Sequence, residues 1–165
     1  MPTTARKTPR LSDLPMADQL FLWTVRHVIC ASEDAAPMSH RVRKFYMDAG
    51  LPDAVSLTIE MIHALSATAV RPMTVNVPGG PHVLADEEAL LSDLRANANA
   101  PTGLFALRGK TNGAGAERVA RGLHDVARQF AALDARRNLG NSGKAPEDRP
   151  AAPTFGSLRS APAPA

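Results

Sequence analysis

Ser56, Glu60 and His63 stand four and three residues apart, so they share one face of any helix formed by Pro52–Ala69. A carboxylate and an imidazole one turn apart could work as an acid–base pair, with the Ser56 hydroxyl one turn earlier. A nucleophilic triad also needs an oxyanion donor and a cleft. On a continuous helix a separation of seven residues sets hydroxyl and imidazole roughly 10 Å apart, so direct proton transfer between them is excluded. The stripe, extended by Asp53, reads as a solvated or interhelical hydrogen-bonded face. A small-molecule site or enzyme using Glu60 and His63, with Met73–Leu84 as a wall, is the alternative.

Other motifs carry less. Gly109-Lys110-Thr111 ends like a phosphate-binding loop, but Leu104 stands where its first glycine is required and no apolar strand precedes it. Lys44–Ile62 has the layout of a helix-turn-helix. Yet Tyr46 is too large for the close approach of the two helices, and Pro52–Ser66 contains no Arg, Lys, Asn or Gln to read bases. His27 and Cys30 share a helix face, but no CxxC, HxxxH or HExxH spacing occurs, so no metal or other cofactor is expected. Cys30 has no neighbouring lysine to favour its thiolate and reads as a small core residue.

The elements that would position these groups follow from periodicity. Ser12–Pro15 offers helix-start signals, and the helix that follows to about Ala31 has an apolar face of Leu14, Phe21, Leu22, Val25, Val28 and Ile29. Asp18, Thr24 and Arg26 are read as facing outward, with Gln19, Trp23 and His27 on a flank. A second helix ends at Gly50, its apolar side Met38, Val42, Phe45, Tyr46 and Ala49, its opposite side His40, Arg41, Arg43 and Lys44. Pro52–Ala69 is apolar on nearly every side and is expected to be the helix others pack against. Met73–Leu84, around Pro-Gly-Gly-Pro, reads as a short β-hairpin or an extended loop. A fourth helix starts near Ala85, with Asp86, Glu87 and Glu88 suited to its first turn and Leu90, Leu91 and Leu94 as its buried stripe. Residues 101–115 read as a flexible connection. In 116–139, Val119, Leu123, Val126, Phe130 and Leu133 form a two-heptad apolar seam, too short to stand alone, that requires a partner in cis or in trans.

The expected architecture is mainly α: a compact bundle of about five helices over residues 12–139, with 12–100 as its core. It is flanked by a disordered basic arm at 1–11 and a disordered Pro/Ala-rich tail at 140–165. Aromatic residues make up 4% of the 165 residues, so Leu, Val, Ile, Met and Ala must build the core. Residues 12–100 carry a net charge of −5 and residues 101–165 carry +5. The basic balance therefore belongs to the flanks, and nucleic-acid binding is disfavoured except as non-specific contact through basic segments. No apolar run is long enough to cross a bilayer, the first ten residues lack a secretory apolar stretch, and a single cysteine fits the cytoplasm.

Leu14–Trp23, Asp48-Ala49-Gly50-Leu51, Met73–Val77 and Asp86–Leu91 together resemble the layout of a group of small uncharacterised bacterial proteins, known as a domain of unknown function, over roughly residues 12–97. Members carry cysteines near the position of Pro78–Pro81; this chain has none there, so no metal role carries over. The resemblance implies no activity. The expectation is a small non-enzymatic interaction or regulatory protein. Its contact residues are Val119, Leu123, Val126, Phe130 and Leu133, meeting a protein partner or a second copy through the 116–139 helix, and the basic group Arg41, Arg43 and Lys44.

Overall fold

The computed structural model describes residues 8–30 and 36–141, the side chains of 36–39 and 133–141 excepted. The arm through residue 7, residues 31–35 between the first two helices and the tail beyond Asn141 lie outside the described residues. After a single 3-10 turn at Leu11–Asp13 come five helices: α1 (Met16–Cys30), α2 (Ala36–Asp48), α3 (Pro52–Thr68), α4 (Ala85–Ala96) and α5 (Gly113–Asn141). The chain is a helical bundle, as its periodicities predict. No β-sheet occurs among the described residues, which contain only two isolated bridges, Arg10 with His82 and Ala69 with Thr111.

Helix α3 is the centre. It packs against α5 most extensively and also meets α1 and α2, burying Ala54, Val55, Thr58, Met61, Ile62 and Leu65. The α2–α3 corner is tight because Gly50 takes a left-handed conformation (φ 73°). Gly50 N–H then donates to Met47 O (2.9 Å) and Leu51 N–H to Tyr46 O (2.8 Å), satisfying the last carbonyls of α2. Leu51 is buried at that corner, and Pro52 occupies the first position of α3, where its missing N–H costs nothing.

Helix α5 begins three residues before its expected start. Asn112 caps it, its side-chain oxygen accepting the Gly115 N–H at 3.0 Å. Val70 N–H donates to Lys110 O and Asn112 N–H to Thr68 O, each at 2.8 Å, tying the end of α3 to the start of α5. Gly115 lies where the two helices touch: a Cβ there would fall 2.0 Å from Thr68 Cγ2. Gly115→Ala should therefore destabilise the protein by about 1–3 kcal/mol, the cost of overpacking, despite alanine's higher helix propensity. Gly113→Ala, with open space around it, should be neutral or stabilising. Urea denaturation of the two variants checks the contrast.

Residues 73–84 are the extended loop rather than the hairpin. Their backbone groups are taken by side chains from elsewhere: Asn76 N–H donates to Glu87 (3.0 Å), while Gly80 O and His82 O accept from Arg26. The far edge is covered by the beginning of the chain, with Leu11 N–H donating to Pro81 O (2.8 Å) and Val83 N–H to Pro9 O (3.0 Å). The last residues of the stretch read as a free arm are thus hydrogen-bonded to the body.

Candidate functional site

The stripe on α3 lies on the outside of the bundle. Glu60 and His63 are exposed, Ser56 is half-buried, and the helix is unbroken between them. A cavity between α1 and α3 is lined by Ile29 and by residues between Leu65 and Met73, and by none of the three. Among the described residues no group of three His, Cys, Asp or Glu side chains could hold a metal ion.

The α5 seam is turned inward. Val119, Leu123, Val126 and Phe130 are all buried, and the Phe130 ring meets Phe21 edge-on with centroids 6.3 Å apart. Its partner is supplied in cis, chiefly by α3, with α4 and α1 beside it. The side chain of Leu133 lies outside the described residues. The α2 face turns the other way. Val42 and Tyr46 are buried and Phe45 packs on Trp23 (centroids 5.3 Å apart), whereas His40, Arg41, Arg43, Lys44 and Met47 face solvent. Lys44 pairs with Asp48 at 2.9 Å, but both are about two-thirds exposed, so the pair adds little stability.

The charged chemistry that the structure does assemble is interior, and α1 is its source. Arg26, read from the sequence as outward, is fully buried. Its Nε donates to Glu87 Oε1 (2.7 Å) and its Nη2 to Glu87 Oε2 (2.9 Å). Its remaining reach goes to Gly80 O (2.6 Å) and His82 O (2.7 Å). Glu87 in turn accepts the N–H groups of Asn76 (3.0 Å) and Leu84 (2.8 Å). The pair thus fastens α1, the 73–84 loop and the start of α4 together. Thr24, also read as outward, is buried with its Oγ1 3.0 Å from the Tyr46 hydroxyl. Asp18 is largely buried and meets Arg95 of α4.

A second interior carboxylate organises the 101–112 connection. Asp93 accepts the backbone N–H groups of Phe105 (2.8 Å), Ala106 (2.9 Å) and Leu107 (2.8 Å). Asn97 donates to Asp93 O and Gly103 O and accepts from the Thr102 and Gly103 N–H groups. His124 of α5 donates from Nδ1 to Asn97 O at 2.7 Å. The connection expected to be flexible is pinned at six points, and no buried side-chain polar atom among the described residues lacks a partner. The Glu87 and Asp93 carboxylates are thus engaged by donors of the fold itself.

Asp86 is held below the ordinary carboxylate range by its hydrogen bond to Lys110, helped by the Thr74 N–H and the charge of Arg71. His27 has a lowered pKa too, but its deprotonated form is the neutral one. Burial pulls its pKa below the ordinary 6.5 against the raising effect of its hydrogen bond to Trp23 O, and Arg41 adds to the lowering. The neutral ring, donating from Nδ1 to Trp23 O at 2.7 Å and packed at a tilt against the Trp23 indole (centroids 4.0 Å apart), is the form the fold accepts. A histidine with a depressed folded-state pKa contributes stability above its unfolded value and loses it as pH falls through the interval between the two values. The melting temperature should therefore drop as pH falls from 7.5 towards 5.5, and His27→Gln should flatten that segment of the profile.

No family model, curated protein or solved structure matches this chain.

Proposed function

We propose that this chain is a small non-enzymatic interaction or regulatory protein that works through protein–protein contacts, with the outward face of α2 as its docking surface. The observation that carries this reading is the arrangement on that face. Met47, 67% exposed, sits one turn from Arg43 and Lys44, with His40 and Arg41 beside them. An apolar centre rimmed by cations on a helix whose other side is locked into the core is suited to an acidic protein surface. The polar groups of the interior are spent on structure, which favours a binding role over a catalytic one. The reading includes membership of the small bacterial family that residues 12–97 resemble. It also includes a cytoplasmic setting, where the thiol of Cys30, exposed at the end of α1 and not the core residue its sequence setting suggests, would stay reduced.

The test is cross-linked capture from the source cells, comparing the native chain with a triple variant, Arg41→Glu, Arg43→Glu and Lys44→Glu. The native chain should retain an acidic protein that the variant loses, while both melt at the same temperature. Identical capture by both removes α2 as the docking surface. A small-molecule mass that travels with the purified protein, and is lost on Glu60→Gln or His63→Ala, would replace the reading with the ligand-binding alternative.

A further inference from the structure

A cavity of about 330 Å³ opens between the C-terminal ends of α1 and α3 and the segment that follows α3. Ile29, Leu65, Ala69 and Met73 supply its apolar wall, and Ser66 and Arg71 stand at its polar edge. Its volume lies at the lower end of the range for small-molecule pockets, roughly 300–1,000 Å³. Among the described residues, two cations share one carboxylate beside it, Asp86. Its Oδ1 takes the Lys110 ammonium and also faces Arg71 Nη2 at 3.5 Å, while its Oδ2 accepts the Thr74 N–H at 2.9 Å. Lys110 is the closer and less exposed of the two cations; the Arg71 side chain is 58% exposed. Arg71 is thus the second cation on a carboxylate that is already neutralised, and it borders an apolar recess.

From this geometry we infer that the cavity binds a small amphiphile with a carboxylate head. The hydrocarbon lies along Ile29, Leu65 and Met73, and the carboxylate meets the Arg71 guanidinium with the Ser66 hydroxyl beside it. The apolar wall selects an alkyl chain by removing it from water, and the second cation selects the sign of the head, through the charge-assisted pairing that guanidinium makes with carboxylates. The site is separate from the α2 face and stands whether or not that face docks a protein.

Octanoate is the probe, with octanol and octylamine as controls of matched chain length, followed by methyl NMR on the full chain. Octanoate should shift the methyl signals of Ile29, Leu65, Val70 and Met73, with the two controls binding about tenfold more weakly or not at all, the factor expected for one hydrogen bond to a charged group. Arg71→Gln should erase octanoate's advantage over octanol while leaving the melting temperature in place, since Lys110 still holds Asp86. Val70→Glu, a change at an exposed rim position, should also exclude octanoate. No shift at these residues up to the solubility of octanoate overturns the inference. So does equal binding of all three probes, or an advantage that persists in Arg71→Gln.

Discussion

Arg26→Met is expected to lower the unfolding free energy by about 3–5 kcal/mol, because it leaves the Glu87 carboxylate buried without its cation. The Glu87 side chain is fully enclosed and still accepts N–H groups from Asn76 and Leu84, so it cannot turn to water without breaking the loop and the first turn of α4. Glu87→Gln should cost a similar amount for the reciprocal reason. The double variant Arg26→Met with Glu87→Gln should cost less than the two single changes together, since removing both charges removes the isolated one. Urea denaturation of the four proteins gives the coupling. Amide exchange supplies a second readout: the N–H groups of Asn76 and Leu84 should lose protection in Arg26→Met before α3 does. A cost below about 1 kcal/mol for Arg26→Met would mean that water reaches the pair.

Leu123→Asp or Phe130→Asp should abolish the cooperative unfolding transition altogether. Truncating such a core side chain costs about 2–5 kcal/mol, and an unpaired buried carboxylate adds several more. Together these approach the whole stability of an ordinary domain, about 5–15 kcal/mol. The control is Arg128→Asp on the outer face of the same helix, which should change stability by less than about 0.5 kcal/mol. Circular dichroism and a thermal melt decide the matter. A Leu123→Asp protein that melts normally but loses a partner would place the seam on the outside after all.

Helix positions were legible because apolar spacing has only one burial solution on a short bundle. The α5 seam is a good example: its period named the buried residues but could not say whether α3 or another molecule would cover them. Arg26 was illegible for a different reason. An arginine on an amphipathic helix is ordinarily solvated, and the carboxylate that overrides this preference stands 61 residues further on. Asp93 follows the same logic, since its partners are backbone N–H groups that no side-chain pattern betrays. Gly115 misled through composition: a glycine-rich stretch reads as loose, whereas this glycine is where two helices need the space of a missing methyl. The basic face of α2 was visible from spacing alone, because exposure is the default for its residue types.

The pairing of α3 with α5 sets a timetable for synthesis on the ribosome. The helix at the centre of the bundle is made early, but its main cover ends near Phe130, about sixty residues later. At roughly 5–20 residues per second, α3 waits several seconds with its Met61, Ile62 and Leu65 side uncovered. A stop codon before Val119 would release a product that lacks this cover.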